Sequence, residues 1–563
     1  MREEIKKIVE KAIKDFLKET PDFSIEVPGE RSHGDYSTNV ALVLAKKINK
    51  SPIETANLIK EKIGENSLFA KVEVAGPGFI NFFIADKIFT DNLKNVSKDY
   101  GKGKELKNKK IILDYTDTNP FKEFHIGHLM GNAIGESLSR IFEFQGAKVK
   151  RACYQGDVGM HVAKAIWGVK KMRNNRPLEF KADSIKDWAM GYAFGSQSYE
   201  EDENDKKEII ELNKKIYERS DKDINKLYDE GKKISLKYFD EIYKKLGTKF
   251  DYFIFESETA PVGKKIAKKG LERGIFEKGE RGAVIFKGEK FGLHTRVFIN
   301  SEGMPTYEAK DLALAEVKYK RYKYDKSFII TANEQDSSFK VMLCAMEKTN
   351  PDLAKKTRHI GHGMLRLPEG KMSSRTGNVI TGESLIEKVK ELVRDKIKDR
   401  DLSEKERLEI IQSVAVGALK YSILKQSTGS DIIYDFDKSI SFEGDAGPYL
   451  QYSYARAISV LKKAKSEKIK AFFKKIPNEI SLVEKMMYYF PEVAEKAGKE
   501  YQPHYITTYL TELAGAFNSY YAKNKIVDKN DVFSPYKVAL TFAFVAIMKN
   551  GMWLIGINPL EKM

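Results

Sequence analysis

Two imidazoles three residues apart beside a glycine, His125-Ile126-Gly127-His128, are the residues of this chain best placed to handle a nucleotide. A cation and two hydroxyls follow much later in Lys371-Met372-Ser373-Ser374-Arg375. Gly127 lets a base approach the backbone with no side chain in the way, and both imidazoles can donate hydrogen bonds to a triphosphate as charge develops on it. Gly370 and Gly377 bracket the second group, which suits a loop closing over a leaving pyrophosphate. Lys371 and Arg375 would neutralise its phosphate oxygens. Taken alone, the first tetrapeptide could be a helix N-terminus with incidental histidines and the second a solvated basic loop. With 8 histidines in 563 residues, a pair at i and i+3 beside a glycine favours use over accident.

The flanking sequence must supply the frame. Lys109–Tyr115 is a short apolar run suited to a buried parallel strand, and it ends in the polar loop Thr116-Asp117-Thr118-Asn119-Pro120. Met130, Ile134, Leu138 and Ile141 then recur at helical spacing, so the tetrapeptide sits where a strand turns into a helix. In an open parallel sheet that turn lies on the ligand-binding edge, where a helix N-terminus offers N–H groups to phosphate. A second strand, Val149–Tyr154, leads into the turn Gln155-Gly156-Asp157-Val158-Gly159. Lys170–Lys249 is rich in Lys, Glu and Asp at helical spacing, which reads as an insertion between two halves of a split nucleotide-binding fold. Strand signals return at Ala283–Phe286, Thr295–Ile299 and Ser327–Thr331.

The same edge collects hydrogen-bond acceptors. Tyr307 and Asp311 stand at i and i+4 on one helical face, Gln335 follows the strand ending at Thr331, and Asp114 and Asn119 end the first strand. Carboxylates and amide oxygens so arranged suit the fixed donor fork of a guanidinium.

Outside this region the N-terminal residues read as α+β. Ile5, Ile8, Val9, Ala12, Ile13, Phe16 and Leu17 mark an amphipathic helix, Thr38–Ile63 is largely helical around Pro52, and Val72–Ile84 alternates like a strand interrupted by Gly76-Pro77-Gly78. From Ser384 onward the helical period dominates, with aromatics among Lys and Arg that could stack bases or simply fill a core. No internal repeat is visible. A chain of this length exceeds one core, and 42% hydrophobic residues suffice for several. The formal charge of +17, 98 Lys and Arg against 81 Asp and Glu, suits a polyanionic partner or reflects a Lys-rich composition. Two cysteines, Cys153 and Cys344, cannot form a disulfide framework or zinc ribbon. No secretory leader or membrane-length apolar window is expected.

The two opening signatures resemble those of class I aminoacyl-tRNA synthetases, with Ser374 and Arg375 departing from the usual KMSKS form. The series Asp114, Asn119, His125, Tyr307, Asp311 and Gln335 resembles the arginine pocket of the arginyl-tRNA synthetase family, which often shows Glu at the place of Asp114 and His at that of Ser338. Gly34–Asn39 and Ala75–Phe82 resemble its added N-terminal domain, which implies a contact to the tRNA elbow around Asn81. Gly447–Arg456 and Gly551–Ile557 resemble its helical anticodon-binding domain, which implies that Tyr449, Tyr452, Arg456, Tyr521 and Met563 face the anticodon loop.

The resemblance implies an α/β multidomain protein. A Rossmann-like parallel-sheet catalytic domain at 107–385 would carry a helical insertion at about 170–250. An α+β domain would precede it at 1–106, a helical connection would follow at 386–435, and an all-α anticodon-binding bundle would close the chain at 436–563. It implies ATP, with Mg²⁺, as substrate for charging tRNA(Arg) with L-arginine, without a prosthetic group or resident metal, in a cytoplasmic monomer with no membrane role. His125, Gly127, His128, Met372, Ser373 and Ser374 would bind ATP. His125, His128, Lys371 and Arg375 would be catalytic, and Lys122 could share the phosphate work. The alternatives are another class I synthetase such as the cysteine enzyme, whose zinc thiolates are missing, a small-molecule nucleotidyltransferase of the same superfamily, and a non-charging tRNA-binding paralogue.

Overall fold

Ile111, Ile112 and Leu113 are fully or almost fully buried because their strand, Lys110–Asp114, lies in the middle of a parallel sheet. In the computed structural model, which describes residues 1–16, 21–175, 180–367, 381–473 and 475–563, that sheet has five strands. Their order across the sheet is Thr357–His362, Lys326–Ala332, Lys110–Asp114, Lys148–Gln155 and Tyr252–Phe255. All four pairings are parallel. In chain order this is 5-4-1-2-3, so the order reverses between Lys110–Asp114 and Lys326–Ala332, and the crevice beyond that point is where such sheets bind ligands.

The first strand and the helix after the histidines follow the sequence expectation, with the helix spanning Ile126–Phe144. Two later strand signals belong elsewhere: Val284–Phe286 and Arg296–Ile299 pair antiparallel in a separate sheet with Glu277–Lys278. The two strands of the parallel sheet that sequence periodicity did not reveal, Tyr252–Phe255 and Thr357–His362, are its edge strands. The second of them carries Arg358, His359 and His362 where a buried strand would be apolar. The insertion is helical, with Ile185–Glu201, Glu203–Glu218 and Lys222–Leu246 packed on Met160–Asn175 and on each other around Trp188, Ile209, Leu212 and Tyr228.

The helix Ile126–Phe144, called the HIGH helix below, is clamped on its far side. Tyr115 Oη donates to Glu136 (2.7 Å), which also receives Arg140 Nε (2.7 Å) and Arg151 Nε (3.0 Å). Ser137 Oγ donates to the carbonyl of Leu554 (2.8 Å) and Arg140 to those of Trp553 (3.0 Å) and Gly247 (3.1 Å). Beside them the buried Lys420 donates to the carbonyls of Leu246 (2.6 Å) and Gly556 (2.9 Å), so the ends of two long helices share one ammonium.

The chain divides into two compact units, and the one just described comprises Lys98–Lys462, Tyr489–Ala522 and Phe544–Met563. The other combines Met1–Ser97 with Lys463–Tyr488 and Lys523–Ala543. Its sheet is antiparallel, ordered Ile25–Glu26, Tyr36–Thr38, Phe79–Ile84, Phe69–Ala75. The helical run expected over Thr38–Ile63 is two helices, Val40–Ala45 and Pro52–Ile63. Pro52 opens the second one, behind a reciprocal Ser51–Glu54 cap. The strand expected over Val72–Ile84 is a hairpin, turned by Gly76 (φ 52°) and Gly78 (φ 126°). A Cβ on Gly78 would stand 2.8 Å from Pro52, so only glycine fits there. The opening helix runs Arg2–Ile13.

One helix, Ser534–Leu554, is long and apolar enough to cross a bilayer, with mean hydropathy 1.2 over its best window, contrary to the sequence expectation. Of that window 67% is buried in the protein, which gives its apolar character a use in the core.

Candidate active site

His125 is the N-cap of the HIGH helix, and the cap is made by imidazoles. Nδ1 of His125 accepts from the N–H of Gly127 (3.1 Å) and of His128 (3.4 Å), while Nδ1 of His128 accepts from the N–H of His125 (3.2 Å). The two rings stack with centroids 3.5 Å apart. Each Nδ1 is therefore an acceptor, so each neutral ring carries its proton on Nε2. Burial, assisted by the charge of Lys122, lowers His125 to about 4 and holds His128 well below its ordinary range. Two of the backbone N–H groups that sequence reasoning offered to phosphate, those of Gly127 and His128, are taken by this cap, and each ring keeps an Nε2–H as a donor for an anion. Gly127 lies under the His125 ring, where a Cβ would stand 3.0 Å from it.

Lys122 places its ammonium 4.2 Å from the ring centre of Tyr192, on the insertion helix Ile185–Glu201. It also acts electrostatically on His125, His128 and His161. His161 donates Nε2–H to the carbonyl of Gly156 (2.8 Å), and His362 is buried, with Nδ1 on the carbonyl of Gly363 (2.7 Å). Lys371, Met372, Ser373, Ser374 and Arg375 lie outside the described residues. The chain is described again from Thr381, whose backbone bridges to His125, and Gly382 N–H donates to the carbonyl of Phe124 (2.6 Å).

Acidic groups gather on the neighbouring side. Asp311, on the helix Tyr307–Arg321, is raised to about 8 by burial and by the charge of Glu256. Glu256 is itself raised by burial and pairs with Lys310. Asp114 is fully buried and pairs with Lys318, one face of the same helix supplying both lysines and Asp311. Asp117 is pushed well above the carboxylate range by burial and by Asp114, and Asp311 also acts on it. Asn119 rests against Gly156, its Oδ1 2.4 Å from where a Cβ there would stand. Tyr307 is 60% exposed, with Lys310 over its ring (4.3 Å). Gln335 is exposed in the short turn Asn333–Gln335 after the fourth strand.

Sequence reasoning did not single out Asp117, Glu256, Lys310 or Lys318. The lysines had left a signal: Lys310 interrupts the buried run Ala309, Leu312, Ala313, Leu314, Ala315 and Lys318 follows it one turn on, and a cation on an apolar face needs a partner.

In the helical part, Arg456 donates to Asn518 Oδ1 (2.7 Å) and Tyr452 Oη (3.1 Å) and lies over the rings of Tyr452 and Tyr521. Asn518 Nδ2 donates to Tyr449 Oη (3.0 Å). Four of the residues expected at an anticodon thus form one cluster between Gly447–Ser466 and His504–Lys523. Met563 is half-buried and takes no part in its hydrogen bonds. Asn81 is 4% exposed, and its Oδ1 accepts from Ser37 (2.7 Å).

The strand order, the HIGH helix at its reversal and the helical C-terminal part together define a class I aminoacyl-tRNA synthetase. Residues 91–436 match the family model for the catalytic domain of class I (R) tRNA synthetases, 450–563 that for the DALR anticodon-binding domain, and 3–84 that for the arginyl-tRNA synthetase N-terminal domain. The chain belongs to the arginyl-tRNA synthetase family. It is similar to the arginine–tRNA ligase of Borreliella burgdorferi, 33% identical over 96% of this chain and 95% of the relative. The arginine–tRNA ligase of Clostridium acetobutylicum is 31% identical over 100% and 99%. Among solved structures, the arginyl-tRNA synthetases of Thermus thermophilus and Plasmodium falciparum share the fold. Both have TM-score 0.79 and 21% identity over 100% of this chain, and 100% and 99% of theirs are covered.

Proposed function

We propose that the crevice activates L-arginine with MgATP and that the arginyl group then passes to tRNA(Arg), with release of AMP and pyrophosphate. The acidic pocket carries this reading: Asp311, Glu256, Asp114 and Asp117 act on one another, and among the described residues Lys310 and Lys318 are the lysines paired with them there. A guanidinium and an α-ammonium would complete that charge balance. Asp311 takes the guanidinium, Tyr307 lines its path, and Asn119 and Gln335 serve the α-amino and carboxylate end. Asp114 supports the pocket through Lys318.

The arginine carboxylate attacks the α-phosphorus in line and the P–O bond to pyrophosphate breaks, so no protein nucleophile is required. Nε2–H of His125 and of His128 donate to phosphate oxygens as charge builds, and Lys122 adds a positive field. Gly127 leaves room for the base. Mg²⁺ enters with ATP on its phosphate oxygens. Lys371 and Arg375, flanked by Met372, Ser373 and Ser374, complete the phosphate site by family resemblance. Tyr449, Tyr452, Arg456 and Tyr521 receive the anticodon loop, with Met563 beside them, and the strand held by Asn81 supports the elbow contact. The protein works as a cytoplasmic monomer.

Arginine-dependent ATP–pyrophosphate exchange, run with and without tRNA(Arg), tests the reading. Exchange is expected with arginine and not with cysteine. No exchange under either condition, with tRNA still bound, would leave a non-charging tRNA-binding protein.

A further inference from the structure

The helix Glu256–Glu272 opens without a side-chain cap of its own, because the residue at its N-cap is Phe255, which has no side-chain acceptor. Asp157, two residues past the strand Lys148–Gln155, supplies the acceptor instead. Its Oδ1 accepts from the N–H of Ser257 (2.8 Å) and its Oδ2 from the Ser257 hydroxyl (2.7 Å). A carboxylate at that place also meets the positive end of the helix. The same Oδ2 accepts from Tyr228 Oη (2.6 Å) and Lys232 Nζ (2.7 Å), both on the insertion helix Lys222–Leu246. Lys232 also lies over the ring of Phe255, 3.5 Å from its centre.

The side chain that this cap fixes first is Glu256. It opens the helix next to Ser257, is buried, pairs with Lys310 and acts on Asp311. Gly156, the neighbour of Asp157, lies between Asn119 and Glu256: a Cβ there would stand 2.4 Å from Asn119 Oδ1 and 3.4 Å from Glu256 Oε1. A shift of the first helical turn therefore moves Glu256 against Asn119 and Asp311 together. Asp157 itself is fully buried with both oxygens bonded, so its influence on a ligand passes through Glu256.

We infer that Asp157 is a positioning residue for the guanidinium end of the pocket, capping from outside the helix that begins at Glu256, with the insertion helix holding that cap in place. The inference rests on the arginine-pocket reading above. Tyr228 and Lys232 thereby take part in arginine recognition at one remove.

The test compares arginine with agmatine, which keeps the guanidinium and lacks the carboxylate. In the exchange assay Asp157→Ala should raise the KM for arginine and the inhibition constant of agmatine alike, about 5- to 30-fold, the effect of losing a strong N-cap. The KM for ATP and kcat should stay within about threefold, a split that a general loss of structure would not give. Asp157→Asn keeps an acceptor for the Ser257 N–H, and Lys232, 21% exposed, can turn to water, so this variant should recover most of the loss. If Asp157→Ala does not fold, Asp157→Ala/Lys232→Met, which leaves no ammonium unpaired, takes its place with the same expected split. An unchanged arginine KM, an equal loss for ATP, a loss absent for agmatine, an Asn variant as impaired as the Ala one, or failure of both Ala variants to fold would overturn the inference. Asp311→Asn separates the two readings. If it leaves the arginine KM unchanged, the pocket reading itself fails; if it raises that KM and Asp157→Ala does not, only the role of Asp157 falls.

Discussion

At the scale of single residues, Asp311 near 8 makes arginine binding a proton-linked event. At pH 7 the free carboxyl is about nine-tenths protonated, whereas a bound guanidinium demands the carboxylate, so binding should release close to about one proton. Raising the pH therefore helps. Affinity should rise about tenfold per unit up to 8 and level off above it, where the free carboxyl is already ionised. Titration calorimetry at pH 7 in buffers of different ionisation enthalpy reads the proton directly, and zero release would refute the shift. Asp311→Ala should abolish the linkage and raise the arginine KM about 100-fold or more. The histidines behave oppositely. With His125 at about 4 and His128 also low, both stay neutral, so kcat for exchange at saturating substrates should be level from about pH 6 to 8. An inflection near 6.5 that His128→Gln removes would contradict this.

At the scale of elements, the HIGH helix meets the first strand through a glycine. A Cβ on Gly135 would stand 2.2 Å from Tyr115 Cγ, and the Tyr115 hydroxyl is tied to Glu136, so the ring cannot swing aside. Gly135→Ala should cost at least about 1–3 kcal/mol in chemical denaturation, and an unchanged midpoint would mean that the helix and strand are not in this close contact. The strand and the helix themselves were legible in sequence, because Ile111-Ile112-Leu113 and the Met130, Ile134, Leu138, Ile141 spacing each repeat one local pattern. The strand Thr357–His362 was not, since an edge strand with two histidines and an arginine has no apolar alternation to read. Much of the pocket's charge pairing was equally hidden. Asp114 and Lys318 are separated by 204 residues, and only the folded sheet brings the first strand beneath the helix Tyr307–Arg321. The imidazole cap was hidden too: His125 and His128 were visible as donors, but spacing alone does not say that their Nδ1 atoms consume the helix's own N–H groups.

At the scale of the whole molecule, a net charge of +17 faces a polyanion. The KM for tRNA should rise about tenfold or more between roughly 50 and 200 mM salt, while that for arginine, held by close charge pairs in the acidic pocket, should change by less than about threefold. Equal sensitivity of both would argue against a basic docking surface. The carbonyls of Trp553, Leu554 and Gly556 have a wider bearing, since Arg140 and Ser137, on the helix that bears His125 and His128, draw on the first two, and Lys420 ties the third to Leu246. Inheritance of parts is constrained accordingly. A gene cut after the matched catalytic segment at 436 would encode a nucleotide site stripped of these braces. Because the acceptors are backbone carbonyls, recombination between relatives, whether natural or designed, has to keep the end of a helix at this place beside Ser137 and Arg140 but is free to exchange its side chains.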